Sequence, residues 1–225
     1  MGERVNLEVD LLDRLAERHE GRLREAYRRV IGAMPWSGIV SGRLGVEKVV
    51  AQIRSGGCAV VWDPAREGEG DVIAAGVELR PQTFAFILTQ ACGHPCAPSD
   101  SARLARLGIA PMPGVGDRQR TPFHATVDLA SCSGTGVSAA ERAATVRRLA
   151  ARRRAARDFV SPGHVFPLGA SPGGSRARGH TEATVELCRA AGLPPVGVCC
   201  EIMSPTGTWR GPPSSSASRC TGGFR

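Results

Sequence analysis

The segment Asp63-Pro64-Ala65-Arg66-Glu67-Gly68-Glu69-Gly70-Asp71 separates two apolar runs, Cys58 to Trp62 and Val72 to Val77. Both runs have the length and β-branched content of strands, so the acidic segment joins two strands. Glu67, Glu69 and Asp71 fall at i, i+2 and i+4, and an extended backbone turns residues so spaced to one side. Carboxylates placed together repel unless a cation or an arginine lies among them. A hard divalent ion takes oxygen ligands and keeps water positions open for a substrate. Gly68 and Gly70 let a ligand approach the backbone closely. Taken alone, the motif fits an acidic surface turn equally well.

The rest of the chain is punctuated clearly. Residues 7 to 33 carry Leu12, Leu15, Leu23, Tyr27 and Val30 near one helical stripe, which predicts an amphipathic helix. Residues 35 to 45, with a proline and several glycines, read as a linker. A short helix is expected from Val46 to Arg54, ended by Gly56-Gly57. Pro81 opens another to about Ala91, and Ser99 caps a third to Leu107. The run Pro111 to Pro122 is a loop, and Phe123 to Leu129 alternates as a strand. Ser138 with Glu141 forms a capping-box pattern at the head of a helix running to about Arg157. Val165 to Leu168 is a strand that Pro167 assigns to a sheet edge or a strand end. Thr181 to Ala191 is a helix, and Val196 to Ile202 a buried strand. From Gly211 to Arg225 the sequence is rich in Pro, Ser, Gly and Arg without periodicity.

These elements predict a single α+β domain, a mixed β-sheet flanked by helices, at 46–210. An N-terminal helical extension at 1–45 precedes it and an irregular tail at 211–225 follows. A chain of 225 residues, 42% hydrophobic, can bury one sizeable core. No run of ~18 apolar residues is present to span a membrane. The first residues lack the apolar centre of a secretion signal, so a cytoplasmic protein is expected. The eight cysteines sit mostly in or beside apolar runs and read as free buried thiols rather than a disulfide frame. Cys92 and Cys96 have a zinc-like spacing, but no second pair matches it. Net charge is +8, carried almost wholly by arginine, and suits an anionic substrate. The arginines at 147, 148, 152, 153 and 154 raise the alternative of a nucleic-acid-binding helix. No aromatic stacking platform accompanies them, which favours a solvated face and argues against a nucleic-acid partner.

Arg66-Glu67-x-Glu69-Gly70-Asp71 resembles the signature of 3,4-dihydroxy-2-butanone 4-phosphate synthase, an enzyme of riboflavin biosynthesis. Further blocks are similar to that family in the right order: Gly136-Val137-Ser138-Ala139-Ala140-Glu141-Arg142, Pro162-Gly163-His164-Val165-Phe166-Pro167-Leu168, Gly179-His180-Thr181-Glu182-Ala183-Thr184 and Gly197-Val198-Cys199-Cys200-Glu201-Ile202. Several blocks in order are far more specific than one motif. The resemblance covers roughly residues 46 to 208, and Gly93 to Ala97 is similar to the family's stretch around a cysteine, here Cys96.

The resemblance implies a dihydroxybutanone-phosphate-synthase-like fold and a homodimer. It implies a lyase that converts D-ribulose 5-phosphate to 3,4-dihydroxy-2-butanone 4-phosphate and formate. It implies Mg2+ or Mn2+ held by Glu67 and His180, with His164 and Glu201 as acid/base groups. Substrate contacts fall to Arg66, Glu67, Asp71, Arg178, Gly179, His180, Thr181 and Glu201. Arg176 could replace Arg178, because the loop before Gly179 is one residue short of the family's. Gly68, Gly134 and Glu141 also depart from the family, where asparagine, threonine and aspartate stand. A divergent or inactive relative, on another sugar phosphate, is the alternative within this resemblance.

Overall fold

The computed structural model describes residues 43–63, 69–114, 120–171 and 179–203. The expected N-terminal helix, Arg66, Glu67, Gly68, Arg176, Arg178 and the tail lie outside the described residues.

Helix α1 (Arg43–Arg54) leads into β1 (Cys58–Asp63), which the acidic segment joins to β2 (Glu69–Ala75). Helix α2 (Pro81–Phe86) continues as a wider π-turn (Ile87–Ala91) and is followed by β3 (Cys96–Asp100) and α3 (Ser101–Arg106). Then come β4 (Val127–Leu129), α4 (Ala139–Ala150), a 3₁₀ turn (Ala156–Asp158) and β5 (Phe159–Ala170). Helix α5 (His180–Ala190) and β6 (Gly197–Glu201) follow. The strands form one mixed sheet in the order β1-β2-β6-β3-β5-β4, and only β3 and β5 run parallel.

Alternation along the strands splits the core in two, because successive side chains face opposite ways. Val72, Ala74, Val198, Cys200, Ala97 and Val165 face one side and pack with Phe84, Leu104, Val146 and Leu149 from α2, α3 and α4. Ile73, Ala75, Cys199, Cys96 and Leu168 face the other and pack with Ile53 of α1 and Leu187 and Cys188 of α5. This second face carries the candidate site at its end.

Sequence and structure differ at several elements. The third helix is capped by Asp100, whose Oδ1 accepts from Arg103 N–H at 3.2 Å, while Ser99 lies within strand β3. The expected strand Phe123 to Leu129 narrows to Val127–Leu129, with isolated bridges at Phe123 and His124. Helix α4 stops at Ala150 rather than near Arg157. There the guanidinium of Arg103 donates to the carbonyls of Leu149, Ala150 and Ala151, satisfying the final turn from outside. Arg147 and Arg148, both half-buried, donate to the Leu79 carbonyl and to Asp158, so the arginine series is not a uniform solvated face.

Strand β5 is neither edge nor end at Pro167: it spans twelve residues between β3 and β4. A strand residue's N and C=O point to the same side. The Pro167 carbonyl accepts from His124 N–H at 2.9 Å, so the missing proline donor faces that irregular segment instead of the β3 ladder.

The cysteines of the described residues are free, and Cys58, Cys96, Cys188, Cys199 and Cys200 are buried. Desolvation pushes the thiols of Cys58 and Cys188 up to about 12. An unfolded chain ionises its thiols near pH ~8.5 to 9 while the fold keeps these protonated, so their contribution is complete below that pH and is lost as pH rises toward about 12. The urea midpoint should therefore fall between pH 8 and pH 10, by roughly 1 kcal/mol or more per buried thiol. A midpoint that does not move would contradict their burial.

Candidate active site

The antiparallel register of β2 and β6 sets Asp71 directly opposite Glu201. Both side chains lie on the face covered by α5. Asp71 is buried at 3% exposure, and Glu201 is half-buried at the strand end. The Gly93–His94 turn closes over Glu201: the His94 N–H donates to its Oε2 at 2.7 Å. A backbone donor so close fixes the carboxylate's orientation. Cys96 and Cys199 sit opposite each other just behind, and their thiols are pushed up by burial first and then by the charges of Asp71 and Glu201. They are protonated apolar walls at the base of the site.

His180 opens helix α5 behind Gly179, whose backbone is fully extended. The helix starts one residue earlier than the sequence suggests, and its first turn turns His180 inward. The ring is 6% exposed, with Nδ1 3.4 Å from Asp71 Oδ1, so this is not a surface or capping histidine. Thr181 follows in the same turn and is half-buried. The first-turn amides of a helix have no partner within it and favour negative charge.

His164 reaches the site by a different device. Val127 pairs with Val165, but the next residue, Asp128, pairs with Val160. Ser161, Pro162, Gly163 and His164 form a large bulge between these two pairings. The bulge crosses directly over β4. A Cβ on Gly163 would stand 2.1 Å from the Val127 carbonyl carbon, so only glycine fits there. His164 then lies two residues before Phe166 on the same strand face, with its ring partly exposed. Phe166 meets the His94 ring edge to face, with centroids 4.4 Å apart. Through this aromatic pair, His164 and the carboxylate of Glu201 flank one region of the sheet.

Of the expected site residues, the structure brings together Asp71 in the first half of β2, Glu201 at the end of β6 and His180 and Thr181 at the head of α5, and brings His164 to the neighbouring bulge. Gly179 caps α5. Arg66, Glu67 and Arg178 are outside the described residues. Sequence reasoning missed Asp128. It accepts from the His164 N–H through Oδ1 at 2.9 Å, and its Oδ2 lies 2.7 Å from His164 Nδ1. The available signal was a single acid inside the apolar run Phe123 to Leu129, buried at 6% exposure.

Comparison with known proteins identifies the family. The family model for 3,4-dihydroxy-2-butanone 4-phosphate synthase matches residues 47–219. The riboflavin biosynthesis proteins RibBA of Mycobacterium ulcerans (strain Agy99) and Mycobacterium tuberculosis (strain ATCC 25177 / H37Ra) are each 46% identical over 162 residues, 71% of this chain and 38% of theirs. The chain thus spans well under half the length of these curated relatives. Among solved structures, the two-domain synthase RibBX of A. baumannii is 39% identical with a TM-score of 0.69, covering 73% of this chain and 49% of that one. A 3,4-dihydroxy-2-butanone 4-phosphate synthase in complex with two magnesium ions is 41% identical with a TM-score of 0.67, covering 70% of this chain and 74% of that one. By motif order, by fold and by these matches, the chain belongs to the 3,4-dihydroxy-2-butanone 4-phosphate synthase family.

Proposed function

We propose that this protein converts D-ribulose 5-phosphate to 3,4-dihydroxy-2-butanone 4-phosphate and formate, a step of riboflavin biosynthesis. The observation that carries the reading is the convergence of separated blocks. Asp71 faces Glu201 across two strands, His180 closes on Asp71, and His164 is brought alongside by the bulge. The reaction removes a proton beside a carbonyl, expels a hydroxyl, migrates a carbon and releases C4 as formate. Product atoms equal substrate atoms, so no oxidant or other co-reactant is required.

The residues present suit a divalent ion. A metal-binding histidine commonly turns its second ring nitrogen toward a carboxylate, which fixes the ring. His180 Nδ1 faces Asp71 in that way, directing Nε2 away from it. Among the described residues no cluster of three metal-ligating side chains occurs, and the family resemblance assigns the carboxylate ligand to Glu67, outside them. Mg2+ is the favoured ion, with Mn2+ as its substitute, and held by Glu67 and His180 it would act as Lewis acid toward enediolate charge.

The chain's own groups supply the rest. Glu201, held by the His94 amide, takes and returns protons at the sugar carbons and hydroxyls, and His164 does so from the other flank. Asp71 accepts sugar hydroxyls. Gly179 and Thr181 at the head of α5, with Arg178, bind phosphate. Arg66 pairs with a substrate oxygen. The cysteine wall and Phe166 exclude water from the carbons. The protein acts as a homodimer in the cytoplasm, and among the described residues no helix is long and apolar enough to cross a membrane.

Incubating the purified protein with ribulose 5-phosphate and Mg2+ should release formate in step with substrate loss, and chelation should suppress it. Release that persists undiminished after exhaustive chelation would overturn the metal assignment. Ribulose 5-phosphate that remains intact, while another sugar phosphate is consumed, would identify a divergent relative.

A further inference from the structure

We propose that His94 and Phe166 together are the positioning residues of Glu201. Their rings clamp the turn whose main-chain N–H orients the Glu201 carboxylate, leaving Oε1 as the oxygen that exchanges protons with the substrate. This inference rests on reading Glu201 as an acid/base group.

Glu201 cannot hold its own carboxylate. It ends β6, it is half-buried, and its last torsion joins a tetrahedral carbon to a planar one, which gives broad wells rather than sharp ones. A group that transfers protons must nevertheless be kept in a narrow geometry. The His94 N–H supplies that restraint by donating to Oε2 at 2.7 Å, and a hydrogen bond to an ionised acceptor is among the stronger kinds. The restraint is only as firm as the turn that carries it.

The turn is anchored at both ends and braced in the middle. Upstream, the π-turn ends at Cys92, which has φ +64, and the Ala91 carbonyl accepts from Met203 N–H at 2.8 Å. Downstream, Cys96 is in register with Phe166 of β5 and with Cys199 of β6. Between these points the main chain lies directly on Glu201. A Cβ on Gly93 would stand 2.4 Å from the Glu201 carbonyl oxygen and 2.6 Å from Oε2. Glycine permits this approach but has no side chain with which to secure it. Pro95, next after His94, has no N–H to give to the sheet. The His94 ring braces the turn from the side: it meets Phe166 with centroids 4.4 Å apart and planes at 83°. Phe166 is a firm platform, because it belongs to β5 and packs against the buried cluster of Cys96, Leu168 and Cys199. Ring and amide belong to one residue, so a main-chain rotation that releases Oε2 also swings the ring off Phe166.

The full chain with Mg2+ and ribulose 5-phosphate should lose kcat by about three- to tenfold in His94→Ala, the size of one aromatic pair, while KM stays within about twofold. His94→Phe keeps both the ring contact and the main-chain N–H, and its kcat should stay within about twofold of native. Phe166→Leu should cost as much as His94→Ala, and the double variant no more than either alone, because each breaks the same clamp. Hydrogen exchange of the residue-94 amide reads the clamp without activity. That amide should be protected in the native protein and in His94→Phe, and should exchange about three- to tenfold faster in His94→Ala and Phe166→Leu.

A native residue-94 amide that exchanges as fast as one in an unstructured peptide overturns the proposal without any variant. Native kcat in His94→Ala also overturns it. So do equal losses in His94→Ala and His94→Phe, which would place the role in the imidazole nitrogens. Losses that multiply in the double variant overturn it as well, since Phe166 would then act separately. Full activity in Glu201→Gln would instead sink the acid/base reading, whereas an inactive Glu201→Gln beside a fully active His94→Ala would sink the clamp alone.

Discussion

Glu201→Gln and His164→Asn should each lower the rate of formate release by about 10²- to 10⁴-fold and leave the fold intact, the range typical of removing a positioned acid or base. Both substitutions conserve the contacts that the structure records. A glutamine at 201 still offers an oxygen to the His94 N–H, the bond that orients the native carboxylate. An asparagine at 164 places an amide nitrogen near the position of Nδ1 and can donate to Asp128 Oδ2. What each loses is the ability to exchange a proton at neutral pH. The loss should therefore appear in kcat, with binding of ribulose 5-phosphate and the thermal midpoint close to native. Near-full activity in both variants would refute the acid/base assignment.

Gly163→Ala should cost about 3 kcal/mol or more, at the severe end for one added methyl group. The new Cβ would lie 2.1 Å from the carbonyl carbon of Val127 and 2.3 Å from the nitrogen of Asp128. Both are main-chain atoms of β4 and cannot rotate away as a side-chain tip would. The strand and the bulge must separate, which breaks the Gly163 N–H bond to Thr126 and displaces His164 from Asp128. Urea unfolding reads the effect, together with activity in whatever fraction remains folded. A midpoint within about 0.5 kcal/mol of native would show that the bulge does not cross β4 as described.

The contrast between these two sites explains what the sequence could reveal. Glu201 ends a continuous apolar run and Asp71 precedes another, so hydrophobic pattern puts each on a strand, Glu201 at its end and Asp71 in its first half, since β2 begins at Glu69. His180 sits at the boundary of a glycine and an amphipathic helix, which is a legible helix start. The placement of His164 depends instead on a bulge whose partner strand is 36 residues away, and no local pattern announces it. Pro162, Gly163 and Pro167 weigh against a strand when read locally, yet β5 extends through all of them because its neighbours supply the ladder. Strand β3 was hidden for the same reason: Cys96–Asp100 contains Pro98 and is short. Helix α4 was over-read because arginine is a good helix former, while its true end is set by Arg103 from another helix. Sequence thus showed elements with their own periodicity, and missed those defined by a partner.

The central claim is that the residues gathered around Asp71 and Glu201 cleave a carbon from ribulose 5-phosphate. Its most direct test is 13C NMR of the reaction on ribulose 5-phosphate labelled at C4, with the full chain and Mg2+. The predicted result is that all of the label appears as [13C]formate, leaving an unlabelled four-carbon ketone phosphate in equal amount. Label retained in a five-carbon sugar phosphate, whether unreacted or merely isomerised, would contradict the account.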